Sequence, residues 1–485
     1  MSTPLQEKSL TLENTGPQVD PRRWYAFAVI LLPVLVIQLN TFMIQVALPS
    51  IQNSLQASFF EAQLIVSGYS LGQAVAMIIG GRLGDLYGRK RMLLTGVGGF
   101  TLMSALGGAV SDPGLLIAVR IIQGLTAAVT LPQILSIIHT TLLPKEKGLA
   151  FGIYGATIGV GFTFGLIMGG FLIDWNWFHL GWRTVFLFNV PFGLLVLMCM
   201  PLVPESRGAE SRKIDWPGVV LLTIGLFLLV YPVSEGAKRG WPLWTWTALI
   251  LAVPVLLAFA AVQNRKKKKG GLPLVDLSIF QKKLFPLGLL NVLVLFLGMI
   301  SFFVVLSYYL QYGLHEDVRT TGLAFLPVGG GYFLTSLLSG RVVRRWGSAV
   351  LRTGALVMAV CSFLLIGSLH LDATQFFHIR NILLLLGYGL GLGLVTGPLV
   401  NAVLSVVRPQ DAGTASGLYN TVANLGNSLG VALIGLLFSA SLRHPLAEAA
   451  LSDYTRAFSS TLIATGGLSV ATFVCLCLLR PQQQV

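Results

Sequence analysis

Gly148 to Gly165 reads GLAFGIYGATIGVGFTFG, and Gly413 to Gly430 reads GTASGLYNTVANLGNSLG. Laid over each other without a gap, Gly148, Ala150, Gly152, Tyr154, Gly161 and Gly165 fall on Gly413, Ala415, Gly417, Tyr419, Gly426 and Gly430. Identities at small and aromatic positions, repeated in register, mark an internal duplication, and a duplication sets the architecture before any single helix does. A second echo lies outside this pair: Gly81, Asp85 and Gly88 have the spacing of Gly340, Arg344 and Gly347.

Each copy lies in a long uncharged run. Runs of 19 or more residues without Asp, Glu, Lys or Arg cover 24–60, 62–81, 92–111, 121–144, 148–173, 184–204, 216–234, 240–264, 284–315, 320–340, 353–371, 381–407, 412–442 and 457–479. A helix crossing the hydrocarbon core needs about 20 apolar residues, whereas a barrel strand takes only about 9–11. The fold class is therefore an all-α polytopic membrane protein with 14 transmembrane helices. The runs 24–60, 284–315 and 412–442 are too short for two helices and a turn, so each holds one. Placed on this map, the duplication predicts two pseudo-symmetric six-helix bundles, 24–205 and 284–480. Between them come two inserted helices in 206–265 and a polybasic loop, 266–283, with polar tails at 1–23 and 481–485. Parallel repeats of this kind are a transporter design, with the substrate site at the repeat interface near the bilayer midplane. The leader lacks the apolar core of a signal peptide, so the first helix is expected to be retained.

Composition agrees. Of 485 residues, 54% are hydrophobic and 11% charged, against about one quarter charged in soluble domains. So few charges cannot cover a soluble surface, and so apolar a chain is not disordered. The net charge of +14 does not imply nucleic acid, because 25 of the 33 basic residues fall on one predicted side. Basic loops stay in the cytoplasm, which predicts an integral plasma (inner) membrane protein with both termini cytoplasmic. Lys266 to Lys269 is expected to attract anionic lipid. Cys199, Cys361, Cys475 and Cys477 lie in apolar stretches with no disulfide or zinc spacing.

None of the 19 acids falls at the middle of a predicted helix. One cation does stand inside: Arg120, about one turn into the fourth helix. A charge at that depth costs roughly 2.5–3.5 kcal/mol on insertion scales and is retained only where it is paired or useful. It is a candidate for coupling or for facing an anion. His139, near the end of the same helix, can titrate near neutrality and is the second coupling candidate. Polar groups available for a substrate cavity are Asn40, Gln45, Tyr69, Gln133, Tyr308, Gln311, Asn401, Tyr419 and Asn420; each can equally form an interhelical hydrogen bond. With no central acid, the expected cargo is a small amphipathic molecule that is neutral, zwitterionic or anionic. The chain has no phosphate-binding loop, no paired histidines at metal spacing and no nucleophile elbow. Catalysis, a metal and a cofactor are therefore not expected; a monomer is.

The motifs resemble those of the major facilitator superfamily, specifically its fourteen-helix drug/proton antiporter branch. Gly81-Arg-Leu-Gly-Asp85-Leu-Tyr-Gly88-Arg89-Lys-Arg is similar to the signature loop between helices 2 and 3. The resemblance implies that Asp85 and Arg89 latch the cytoplasmic gate, with Arg344 standing at the equivalent place in the second copy. Arg120, Gln123 and Gly124 resemble the helix-4 motif, whose Arg is implicated in proton transfer. Gly152, Gly161, Gly165 and Gly169 resemble the helix-5 antiporter motif, which implies close packing there and a rocking contact between the halves. Gly181-Trp-Arg-Thr-Val-Phe186 through Gly193 resembles the entry to helix 6 in that branch. The branch usually has an acid where this chain has Asn40, and a Pro where it has Leu166. The resemblance implies export by alternating access with protons as the coupling ion. An uncoupled facilitator, or a carrier of one neutral, anionic or lipid-like metabolite, is the other reading, because Asn40 replaces the acid. A membrane sensor or scaffold would need a sizeable soluble domain, which the chain lacks.

Overall fold

The computed structural model describes residues 23–206, 215–238, 240–271, 273–281, 284–407, 412–446 and 448–479. In chain order the helices are α1 (Arg23–Leu55), α2 (Phe59–Tyr87), α3 (Arg89–Ala109), α4 (Pro113–Thr141) and α5 (Pro144–Trp175). A broken pair follows, α6 (Arg183–Leu187) and α7 (Asn189–Cys199), then α8 (Trp216–Lys238) and α9 (Leu243–Lys268). The remainder is α10 (Leu284–Tyr308), α11 (Val318–Ala324), α12 (Leu326–Trp346), α13 (Ala349–Leu371), α14 (Ile379–Leu404), α15 (Ala412–Ser441) and α16 (Leu451–Leu478). Among the described residues there is no strand, and 14 spans are long and apolar enough to cross a membrane. Each of the three longest uncharged runs holds one span.

Local chemistry explains the ends. Asp112 caps α4, accepting from the Leu115 amide at 2.7 Å, and Pro113 opens the helix where its missing N–H is harmless. Ser58 and Glu61 form a reciprocal capping box at the start of α2. The break between α11 and α12 falls at Phe325, two residues before Pro327, which has no N–H to give the Leu323 carbonyl one turn back. An even number of spans returns the chain to the face on which Arg23 stands. We call this the terminal face, and its opposite the distal face.

Within the first half, α2 lies unusually close to α4. A β-carbon on Gly72 would stand 2.3 Å from the Ile121 carbonyl oxygen, and one on Gly124 would stand 2.1 Å from that of Tyr69. In lipid, where apolar side chains gain nothing by leaving solvent, such backbone approach replaces the hydrophobic drive. The helix-5 glycines act likewise, but toward α1. Gly161, Gly165 and Gly169 pack on Gln38, on Leu39 with Phe42, and on Met43. They therefore hold two helices of the same half together rather than forming the rocking contact between halves. Gly152 meets nothing within 4 Å.

The inserted pair packs through α8 on α2 and α15, while α9 leaves most of its surface outward. A polar clamp fixes its return to α10. Gln263 donates to Asp215 (2.8 Å) and accepts from the Leu274 and Val275 amides at 2.6 and 3.2 Å. Lys266 pairs with Asp215 at 3.1 Å, and Lys267 with Asp276 at 2.7 Å. Arg82, near the end of α2, donates to the Pro273 carbonyl at 2.5 Å. Lys266 to Lys268 thus close the last turn of α9 instead of standing in a loop, and two of the four lysines already have carboxylate partners. Burial pushes the Asp215 carboxyl up, but the Gln263 and Lys266 hydrogen bonds outweigh it and hold the group below its ordinary 3.8.

Gly72→Val should force α4 off α2 and destabilise the protein by roughly 1–3 kcal/mol, the usual size of overpacking. Gly98→Val, at a position with nothing within 4 Å, should melt like the parent in detergent. Because the folded Asp215 pKa is depressed, the clamp's contribution is complete above pH 3.8. It is lost as pH falls through the lower folded value. Asp215→Asn should flatten that acid limb of melting temperature against pH.

Candidate functional site

The two halves meet along two seams. On one, α2 and α15 run antiparallel. Gly435 faces Gln63, Ser428 donates to the Ser67 carbonyl (2.8 Å), Thr421 donates to that of Ala74 (3.2 Å), and Gly417 touches Ile78. On the other, α5 runs against α11 and α12. Gly170 packs on Val318 and Gly322, Thr163 donates to the Gly329 carbonyl at 2.9 Å, and Gly159 reaches Tyr332 and Phe333 at 3.7 Å. One turn further toward the terminal face this second seam parts. Gly155 and Gly152 meet nothing within 4 Å, and Phe151 to Ile158 are exposed or half-buried where the same helix beyond Gly159 is largely buried.

The distal end is sealed. Tyr308 donates to Gln52 at 2.6 Å, Gln311 to the Val46 carbonyl at 2.9 Å, and Tyr312 to Asn53 at 2.8 Å, each joining α10 or its terminal π turn to α1. Below these bonds lies an aromatic plug shared by the halves. Phe42 meets Phe162 and Phe303 with ring centroids 4.6 and 6.4 Å apart, Phe162 meets Tyr332 at 4.4 Å, and Phe303 meets Phe325 at 5.7 Å. The arrangement is a cleft closed at the distal face and parted toward the terminal one.

Behind the plug, inside the first half, stands Arg120, 1% exposed. Its Nε donates to the Ile65 carbonyl at 3.0 Å, and its Nη1 donates to Asn40 Oδ1 at 2.8 Å and to Gln123 Oε1 at 2.7 Å. The guanidinium carbon lies 4.0 Å from the centroid of the Tyr69 ring. Gln123 in turn donates to Ser104 (2.8 Å), so α1, α2, α3 and α4 all contribute. Every partner is neutral. The helix-1 position that carries an acid in the resembling branch is in direct contact with the helix-4 arginine, and here it is Asn40.

The predicted cavity residues do not converge on one site. Asn40 and Tyr69 join Arg120; Tyr308 and Gln311 belong to the distal seal. Gln133 ties α4 to α2 by donating to the Gly80 carbonyl at 2.6 Å. Gln45 and Asn420 donate to carbonyls of their own helices, Thr41 and Ser416. Tyr419 is buried on α15, and Asn401 is exposed near the end of α14. His139 is exposed and lies 3.2 Å from Lys147; nineteen residues along the helix from Arg120, it is about 28 Å away. Asp85 and Arg89 pair at 3.1 Å within the first half. Gly88, at φ +102, leaves room for the Glu205 carboxylate, which a β-carbon would approach to 2.8 Å. Gly81 stands near Pro132, and the Arg344 side chain lies outside the described residues. Sequence reasoning missed Gln52, Tyr312 and Thr163, ordinary polar residues whose role exists only across the seam.

A family model described as Major Facilitator Superfamily matches residues 30–431. A "Probable actinorhodin transporter" of Streptomyces coelicolor is 36% identical over 456 residues, 93% of this chain and 78% of that protein. A puromycin resistance protein of Streptomyces alboniger is 35% identical, covering 89% and 85%. Among solved structures, a D-xylose-proton symporter aligns with TM-score 0.67 at 17% identity, over 95% of this chain and 99% of that one. A bacterial homologue of the human lysosomal transporter Spinster, inward-facing and unoccupied, also gives 0.67 at 17%, over 95% and 97%.

Tyr308→Phe removes the donor to Gln52. It should weaken the distal seal by about 1 kcal/mol, a roughly fivefold shift toward opening. In a chain whose four native cysteines are replaced, Ser428→Cys should then react faster with an impermeant maleimide added at the distal face. An unchanged rate would assign the seal to the aromatic plug instead.

Proposed function

The chain belongs to the major facilitator superfamily, and from that premise we propose that it exports aromatic, amphipathic antibiotic-like molecules by alternating access. It is an integral membrane transporter and not an enzyme. The carrying observation is the asymmetry of the cleft. A cargo entering from the terminal face finds the α5–α12 seam parted and the aromatic plug above it. Apolar surface with few polar groups suits such cargo. On this reading the terminal face, with both chain ends, is cytoplasmic and the inner membrane is the host; the bias of basic residues toward that face supports the orientation. Loading from that face with release at the other is efflux, the direction the relatives' names support. The relatives named for actinorhodin and puromycin support the cargo class.

For the opposite state, the halves rock about the plug. Continuing the observed register, Gly155 comes against Leu337 and Gly152 against Gly340 as the parted seam closes. Small residues on α5 permit that approach. Asp85 and Arg89, held by Gly88 against Glu205, form the first-half side of the gate, and Arg344 the second-half side. The monomer suffices for this cycle. The lysines left free at the end of α9 face anionic lipid.

Protons are the coupling ion of this reading, and facilitated diffusion without coupling is its rival. Asn40 favours the rival, since the usual carboxylate beside Arg120 is missing. Reconstituted vesicles separate them. A coupled exporter concentrates puromycin against its gradient when only a pH difference is imposed; a facilitator equilibrates it. Expression in a pump-deleted bacterium should lower puromycin accumulation, and equal accumulation with and without the protein would sink the export reading for that cargo. Gly155→Trp, a substitution into open space in the observed state, should fold normally yet block closure. Its transport rate should fall by about tenfold or more, equivalent to ~1.4 kcal/mol on the closing step; parental rates would refute the register. His139→Gln should leave the pH profile of transport unchanged if the exposed ring carries no coupling proton.

A further inference from the structure

We infer that Arg120 and Asn40 form an anion site, and that its ligand is the carboxylate of an acidic cargo. The inference rests on the export reading for the word cargo, but not for the binding itself. The donors on the page carry it. Arg120 Nε and Nη1 are satisfied by Ile65, Asn40 and Gln123, while Nη2 donates to no described group. Asn40 turns its oxygen to the guanidinium, and its Nδ2 is buried without a partner. The amide cannot be flipped to relieve this, because its NH2 would then face the Nη1 donor. Both unsatisfied groups are therefore donors, and the missing partner is an acceptor.

Charge selects among acceptors. No ion pair among the described residues involves Arg120. Its other neighbours are the Tyr69 and Phe186 rings. A guanidinium held by neutral groups in a water-poor interior keeps its unbalanced charge. A water molecule would fill a hydrogen bond and leave that charge; a carboxylate fills both and neutralises it, with two oxygens for a donor fork. The rings beside the guanidinium are those of Tyr69 and Phe186, whose centroids lie 4.0 and 6.0 Å from its central carbon. An aromatic acid would set its ring against these and its carboxylate toward Arg120. In the resembling branch an acid at position 40 would supply this counter-charge from the protein itself; here the ligand supplies it.

The test is melting temperature of the purified full-length protein at constant ionic strength. The probes are 1-naphthoate, its neutral amide 1-naphthamide, 1-naphthylmethylammonium and chloride. Naphthoate should stabilise saturably and the amide and ammonium should not. Arg120→Gln should weaken naphthoate binding by roughly tenfold or more, the size of a charge-assisted hydrogen bond. Asn40→Asp supplies the counter-charge internally. It should raise the melting temperature without ligand and abolish the naphthoate response, and it keeps the proposal testable if Arg120→Gln does not fold. Equal stabilisation by the amide, or a naphthoate response unchanged in both variants, overturns the site. Saturable stabilisation by chloride to which naphthoate adds nothing overturns the carboxylate assignment in favour of an inorganic ion. Lost efflux with charge-selective binding intact defeats the export reading alone; the converse defeats this inference alone.

Discussion

A polar group without a partner in hydrocarbon costs several kcal/mol, and every level of this structure answers that cost. The backbone answers it by coiling into helices among the described residues. The side chains answer it locally. Thr41, Thr101, Thr130, Ser301 and Thr465 each donate to a carbonyl one turn back on their own helix. The polar groups that remain are the informative ones, because a helix offers them nothing. They pair across the seams, as Tyr308 does with Gln52, or gather around Arg120.

The same constraint shapes packing. Lipid is as apolar as leucine, so helices hold together through close backbone approach and hydrogen bonds rather than through hydrophobic exclusion. α2 and α4 lock through Gly72 and Gly124, and α1 and α5 through Gly161, Gly165 and Gly169. Each half is thereby stiff within itself. Between halves, glycine contacts such as Gly170 on Val318 join polar and aromatic ones, and on α5 they cease at Gly159. A body made of two stiff bundles with a weaker, graded seam is suited to rocking. The clamp of Gln263 and Asp215 on the Leu274 segment, with Arg82 on Pro273, ties the inserted helices to the first half at the face where that seam parts.

Much of this was legible in the residue string. Charge-free runs counted the spans, because hydrocarbon thickness dictates run length. The echo of Gly148–Gly165 in Gly413–Gly430 revealed the two halves, because equivalent helices meet equivalent neighbours. The family followed from the loop around Asp85 and from the helix-4 and helix-5 motifs. The candidate cavity was less legible. Gln133 and Gln45 are polar residues in apolar helices, as a binding group would be, yet they satisfy neighbouring carbonyls. Composition cannot separate the two roles, since both need a donor at the same depth.

By itself, then, the sequence determined the number of spans, the duplication, the isolation of one cation among them and the absence of an acid at position 40. These follow from hydropathy and identity, which are properties of residues taken along the chain. Only the tertiary structure decided that Asn40 touches Arg120, that two donors there lack acceptors, that the helix-5 glycines face α1, and that the cleft is sealed at one end. Those depend on which helices become neighbours and in what register, and a hydrogen bond a few ångströms long between residues 80 apart has no signature along the chain.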